Sequence, residues 1–179
     1  MKKVLIVVDM QKDFVDGVLG TPEAVSILPS VKEKIRTYVE NNESVIFTRD
    51  THYEDYMETQ EGKNLPVPHC MEGTEGWKIH PYLEVLEEEF NIINKKTFGY
   101  TDWVPYLFRA LHGKTREELE SIELVGLCTD ICVISNAIIL KASFPETRII
   151  VDSKCCAGVS PTRHVNALEA MKACQIEIV

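Results

Sequence analysis

Three residue types spread along this 179-residue chain can together do covalent chemistry at an acyl carbon: a thiol, a carboxylate and an amine. Cys132 lies in Leu124-Val125-Gly126-Leu127-Cys128-Thr129-Asp130-Ile131-Cys132-Val133, where an apolar strand pattern runs straight into a helical one. A thiol there faces the positive end of a helix dipole and unpaired backbone N–H groups, which favour thiolate and can hold an oxyanion. The competing reading is an inert core thiol, because free cysteine is among the most buried residue types. A thiolate attacking an amide carbon needs a base for its proton, a cation to balance charge, and N–H donors for the tetrahedral oxyanion. Asp9 and Lys95 supply the first two. In that role Asp9 takes the thiol proton and later hands it to the leaving amine, so its pKa should be raised by burial or by the thiolate. Taken singly, Asp9 reads equally well as a turn former and Lys95 as a solvated surface residue.

The elements that would gather these groups are legible as short apolar runs. Val4–Val8 is a continuous β-branched run, suited to a central parallel strand covered on both faces. Similar runs are Ser44–Thr48, Asn91–Ile93, Ile122–Val125, Thr147–Val151 and Ile176–Val179. Helical patterns lie between them at Ile27–Glu40, Trp103–Leu111, Thr115–Glu120, Asp130–Ala142 and Thr162–Ala173, with Ser160-Pro161 and Thr115 followed by Glu117-Glu118 as helix starts. This alternation predicts an α/β fold: a three-layer arrangement of a predominantly parallel six-stranded sheet with helices on both faces. Active sites of such sheets lie at the carboxyl ends of the strands. Past the first run comes Asp9, past the second Asp50 and His52, past the third Lys95 and Lys96, and past the fourth Cys132. One edge would collect a carboxylate, a metal-binding pair, an amine and a thiol.

Composition bounds the rest. The length fits one domain spanning residues 1–179, large enough for a core without disulfides, and no linker or repeat divides it. A net charge of −9 argues against nucleic acid and anionic membrane as partners, since both select basic patches. The first apolar run is five residues long and ends in Asp9, too short for a signal-peptide core or a membrane span, so a cytosolic protein is expected. The six cysteines, at 70, 128, 132, 155, 156 and 174, are then reduced thiols.

Val8-Asp9-Met10-Gln11-Lys12-Asp13-Phe14, Lys95-Lys96-Thr97-Phe98-Gly99 and Gly126 through Val133 resemble the three signature stretches of the isochorismatase-like cysteine hydrolases, in order and spacing across nearly the whole chain. The Arg163-His164-Val165-Asn166-Ala167-Leu168 segment is also similar. The resemblance implies the Asp, Lys, Cys triad of the amidase members, here Asp9, Lys95 and Cys132. Isochorismatases themselves lack the cysteine, so its presence favours carbon–nitrogen hydrolysis. Lys95 rather than Lys96 is in register, because the family motif places an aromatic residue three positions after the lysine, here Phe98. The resemblance further implies a cis Leu127–Cys128 peptide, with the N–H groups of Cys128 and Cys132 forming the oxyanion hole.

Asp50-Thr51-His52 and His69, within Pro66-Val67-Pro68-His69-Cys70, resemble the Asp, His, His metal site of the nicotinamidase-like branch. Carboxylate with imidazole suits a divalent metal, zinc first and manganese or iron as alternatives. Glu61 aligns with a fourth ligand seen in some members, and Glu58 is the other candidate. Phe14 would form one wall for a flat substrate ring. The opposite wall departs from the family pattern: Pro66 stands where an aromatic residue is usual, leaving Leu65 and Phe98 as wall candidates, with Tyr53, Tyr56 and Tyr100 as possible substitutes. His80, His112 and His164 read as structural or solvated. Trp77 and Trp103 read as packing residues, Trp103 with some prospect of reaching the pocket mouth.

The expectation is therefore a metal-containing cysteine amidohydrolase acting on a small aromatic or heteroaromatic amide such as nicotinamide through a thioester. An amidase of another small amide or carbamoyl compound is the second reading. A thiol-based binding or redox-sensing protein on the same scaffold is the third. The resemblance implies a small-molecule amide as partner and a homo-oligomer, dimer or tetramer.

Overall fold

The computed structural model describes residues 2–85, 91–111 and 119–179. Its elements are β1 (Lys2–Val8), α1 (Lys12–Val15), α2 (Pro22–Ser26), α3 (Leu28–Glu40), β2 (Ser44–Asp50), α4 (Gln60–Asn64), β3 (Asn91–Lys95), α5 (Trp103–Ala110) and β4 (Leu119–Leu127). A π-helical turn (Thr129–Val133), α6 (Ile134–Ser143), β5 (Arg148–Ala157), α7 (Pro161–Ala173) and β6 (Glu177–Ile178) complete the chain. The expected helical turn at Thr115–Glu120 falls outside the described residues up to 118, and Leu119 and Glu120 already belong to β4. The reading of His112 also falls outside them.

The six strands form one sheet in the order β3-β2-β1-β4-β5-β6, every neighbouring pair parallel. The three-layer α/β fold read from the sequence is what the chain adopts. Strand periodicity sorts β1 cleanly: Val4, Ile6 and Val8 face a core shared with Trp103 and Leu107 of α5, Ala137 and Leu140 of α6, and Met171 of α7. Leu5 and Val7 face the other core, with Val31 and Ile35 of α3. All five residues from Val4 to Val8 are fully buried. Burial of each such side chain contributes about 1.5–3 kcal/mol relative to leaving it exposed. Helix α3 packs through Leu28, Val31, Ile35 and Tyr38, a spacing that keeps one stripe on the sheet. Helix α7 starts at Ser160, whose hydroxyl accepts from the Arg163 N–H, with Pro161 as the first helical residue.

Strand order reverses between β1 and β4, which opens a crevice at their carboxyl ends, the usual ligand position in such sheets. The seam there is tight. Gly126 has φ +116°, and a Cβ at this position would stand 2.1 Å from the Val8 carbonyl oxygen. Only glycine combines that conformation with that approach. No helix among the described residues is long and apolar enough to cross a membrane.

A second polar group lies under the sheet. Lys34 of α3 bridges Glu123 of β4 at 2.6 Å and Asp152 of β5 at 2.8 Å, while the Tyr38 hydroxyl donates to Glu123 at 2.6 Å. Burial pushes the Asp152 carboxyl up, but the Lys34 ammonium outweighs it and holds the group below its ordinary value. The native state thus binds the Asp152 proton more weakly than the unfolded chain does. That stability is complete above the ordinary aspartate pKa and is lost as pH falls through the depressed one. Asp152→Asn should cost about 1–3 kcal/mol at neutral pH, as expected for a charge-assisted bond. Urea unfolding at descending pH should show the difference from wild type shrinking below the aspartate range.

Candidate active site

The site begins with strand register. Asp9 is the first residue after β1, Asp50 closes β2 and Lys95 closes β3, and the β2–β3 ladder sets Asp50 and Lys95 directly opposite one another. Asp9 turns the chain out of β1 with φ +46° in the left-handed region, which aspartate tolerates better than most residues. Its carboxylate meets the Lys95 ammonium at 2.6 Å. Lys95 Nζ also lies 3.5 Å from Asp50 Oδ1 and 3.6 Å from Cys132 Sγ. The Thr48 hydroxyl fixes the other Asp9 oxygen, donating to Oδ1 at 2.7 Å, while Oδ2 makes no well-directed hydrogen bond among the described residues. Asp9, Lys95, Asp50 and Cys132 are all buried. Lys96 is exposed and lays its ammonium over the Tyr53 ring, so Lys95 is the inward lysine.

Burial governs how these groups titrate. It raises the Asp9 carboxyl above its usual range even against the attraction of Lys95, as expected for a proton acceptor. Burial alone would lower the Lys95 ammonium, but Asp9, Cys132 and Asp50 together hold it well above its ordinary value. The thiol departs from expectation. Burial, with Asp9 and Asp50 nearby, pushes the Cys132 thiol well up despite Lys95. Burial is the largest of these causes, and Lys95 is the group that opposes it.

Cys132 lines a cavity of about 670 Å³ together with Phe14, Leu65, Phe98, Cys128 and Arg163. All three predicted substrate walls reach it. Tyr53, Tyr56 and Tyr100 do not: Tyr56 is buried beneath the His52 and His69 rings, and Tyr100 packs against Trp103. Trp103 is fully buried rather than at the pocket mouth, and Trp77 stacks under the Arg49 guanidinium at 3.7 Å. His80 sits beside Asp16, and His164 pairs with the Thr129 hydroxyl at 2.8 Å. The Leu127–Cys128 peptide is cis, as the resemblance implies.

Asp50, Glu61 and His69, which line the cavity, and His52 behind them present ligand atoms that all lie within 4.8 Å of one another. His52 Nε2 is 3.0 Å from Asp50 Oδ2 and 3.6 Å from Glu61 Oε1, and His69 Nε2 is 3.8 and 3.9 Å from the same two oxygens. Donors held about 2.1 Å from one ion stand roughly 3.0–3.4 Å apart, so a small contraction would close this set on a metal. His69 Nδ1 is engaged by the Val67 carbonyl at 2.8 Å, which turns Nε2 toward the cluster. Burial and the Asp50 charge raise the Glu61 carboxyl, the crowding that a cation would relieve. Two carboxylates and two imidazoles make a mixed oxygen and nitrogen donor set suited to a divalent ion. Glu58 is exposed and outside the cluster.

The isochorismatase domain signature matches residues 3–179. This chain belongs to the isochorismatase family. It is 30% identical over 176 residues to the isochorismatase family protein PncA of Bacillus subtilis, covering 94% of this chain and 93% of that protein. It is 26% identical to the nicotinamidase/pyrazinamidase of Mycobacterium tuberculosis, covering 99% of this chain and 98% of that protein. Among solved structures it is similar to the nicotinamidase/pyrazinamidase PncA of Bacillus subtilis, with TM-score 0.84, 26% identity and both chains fully covered. It is also similar to the pyrazinamidase of Pyrococcus horikoshii in complex with zinc, with TM-score 0.80, 28% identity and coverage of 100% of this chain and 99% of that one.

Within this isochorismatase-family fold, sequence reasoning missed the residues that hold the site together. Gln11 is fully buried; its amide donates to the Asp50 and Trp77 carbonyls, both at 2.8 Å, and its oxygen accepts from the Asp50 N–H at 2.7 Å. Asp13 accepts from the Cys70 N–H at 2.8 Å, anchoring the loop that carries His69. Both lie in the Asp9–Phe14 stretch, and that clustering of polar residues after an apolar strand was the available signal. Metal analysis should find one divalent ion per chain. His52→Ala or His69→Ala should weaken zinc affinity at least about tenfold by competition with a chelating dye, whereas Glu58→Ala should leave it unchanged.

Proposed function

We propose that the protein is a metal-containing cysteine amidohydrolase that converts a small aromatic or heteroaromatic amide, nicotinamide or a close analogue, to its acid and ammonia. The observation that carries this reading is that Cys132, whose Sγ lies 3.6 Å from the Lys95 ammonium that pairs with the buried Asp9 carboxylate, lines a cavity also lined by Asp50, Glu61 and His69 of a four-ligand cluster. As Sγ attacks the amide carbon, the Cys132 proton passes to Asp9 Oδ2. Lys95 keeps the nascent thiolate and the carboxylate in balance. The N–H groups of Cys128 and Cys132 stabilise the oxyanion. Asp9 then returns the proton to the leaving nitrogen, ammonia departs, and a thioester on Cys132 remains. Water attacks the thioester with Asp9 as base, releasing the acid and restoring the thiol. Asp50, His52, Glu61 and His69 would hold a divalent ion, by donor chemistry zinc, with manganese or iron as alternatives; it would supply a Lewis-acid anchor for a ring nitrogen. Phe14 and Phe98 flank the ring, and Leu65 closes the side where the family pattern has an aromatic residue. Six free thiols are in keeping with a reducing, cytosolic setting.

The second reading, an amidase of another small amide or carbamoyl compound, is favoured by the same Leu65 wall and by a cavity of about 670 Å³, roomy for a single ring. The redox-sensing reading is disfavoured by the raised Cys132 thiol, since sensor cysteines are exposed thiolates. Ammonia release from nicotinamide or pyrazinamide should fall at least about 1,000-fold in Cys132→Ala and in Asp9→Asn. Mass spectrometry of quenched wild type should find an acyl adduct on the Cys132 peptide. Metal-loaded wild type that turns over neither compound yet hydrolyses another small amide would replace the first reading by the second.

A further inference from the structure

One fully buried side chain outside the triad connects the nucleophile to the cavity wall. Asn136 lies in the first turn of α6, four residues past Cys132. Its Oδ1 accepts from the Tyr100 N–H and from Trp103 Nε1, both at 2.9 Å. Its Nδ2 donates to the Cys132 carbonyl at 2.8 Å and to the Phe98 carbonyl at 3.2 Å. An asparagine amide has two donor hydrogens and one oxygen with two lone pairs, and here all are used. Two N–H donors on one side and two carbonyls on the other admit a single orientation, because a flipped amide would lose all four bonds. A buried polar group satisfied in full is costly to disturb in part, so it fixes one arrangement of whatever it joins.

What it joins are chain segments far apart in sequence. Cys132 sits in the π turn, the sort of helix irregularity that recurs at functional sites. Its carbonyl is tied by Asn136, and that of its neighbour Ile131 accepts from the Ser135 hydroxyl at 2.6 Å. Phe98 lies in the loop after β3, three residues past Lys95, and lines the cavity. We propose that Asn136 is a positioning residue, which through its two donated bonds sets both the place of the Cys132 sulfur beside Lys95 and the stand of the Phe98 wall. This inference rests on the amidase reading for its kinetic consequences, but Cys132 reactivity tests it without any amide.

The experiment uses the full-length, metal-loaded protein. Asn136→Ala removes both donors, and its Cys132 should be alkylated by iodoacetamide at least tenfold more slowly than wild type, followed on the Cys132 peptide. Its kcat should fall at least tenfold and its KM should rise. Asn136→Ser keeps a short donor able to bond the Cys132 carbonyl but not to reach that of Phe98. It should hold alkylation and kcat within threefold of wild type while KM rises at least fivefold. Trp103→Phe, which removes one bond on the acceptor side, serves as the stability control and should keep the wild-type alkylation rate within twofold despite a lower Tm. The proposal is overturned if Asn136→Ala alkylates at the wild-type rate. It is equally overturned if Trp103→Phe slows alkylation as much as Asn136→Ala does, which would mark a general loss of packing. Should wild type hydrolyse no amide while the alkylation pattern holds, the positioning role stands and the amidase reading fails.

Discussion

A single ammonium held between two carboxylates organises this molecule. Lys95 is buried, and an isolated lysine so placed would shed its proton. Asp9 and Asp50 prevent that, and Lys95 in turn keeps two acids together at the end of a parallel sheet. Each charge is tolerable only because of the others. The two acids also differ in their other partners: Asp9 accepts from the Thr48 hydroxyl, while Asp50 turns its other oxygen toward His52 and His69. The cysteine and the candidate metal cluster are thus neighbours through one shared cation.

The sheet supplies what that cluster requires. Parallel strands end side by side, so residues from the first, second and third strands reach one edge without long loops. The strand order reverses beside β1, and the fourth strand brings the thiol in from the other flank. Two cores, one per face, support this edge, and the cavity opens beyond it, walled by loops and short helical segments as well as strand ends. Of the candidate metal ligands beyond Asp50, His52 and His69 come from loops and Glu61 from α4, and the cluster is steadied by Gln11, Asp13 and the Val67 carbonyl.

Sequence reasoning reached the strands because a short unbroken stretch of β-branched residues suits little besides a strand buried on both faces. It placed Asp9, Asp50, Lys95 and Cys132 at one edge because each follows or ends an apolar strand run, and the structure brings the four together there. It stopped short where position depends on long-range contacts. The short helices α1, α2 and α4 carry too few turns to show a period, and the extension of β5 through Asp152–Ala157 mixes polar with apolar residues. Gln11, Thr48 and Asn136 look ordinary in sequence, since their roles are set by carbonyls and amides dozens of residues away. The upward push on the Cys132 thiol was out of reach for a related reason: the helix start was visible, but the burial of the sulfur, and the acids near it, arise only in three dimensions.

The close approach of Gly126 to Val8 has a further meaning for how such an enzyme diversifies. Backbone touches backbone there, immediately before the acid on one strand and shortly before the sulfur-bearing turn on the other. The separation of the two strand ends that carry Asp9 and lead to Cys132 is therefore moulded first by main chain. Mutation is left free to resculpt the rim, where Leu65, Phe98 and Arg163 stand. New appetites can arise there while the seam between the two strands stays constant.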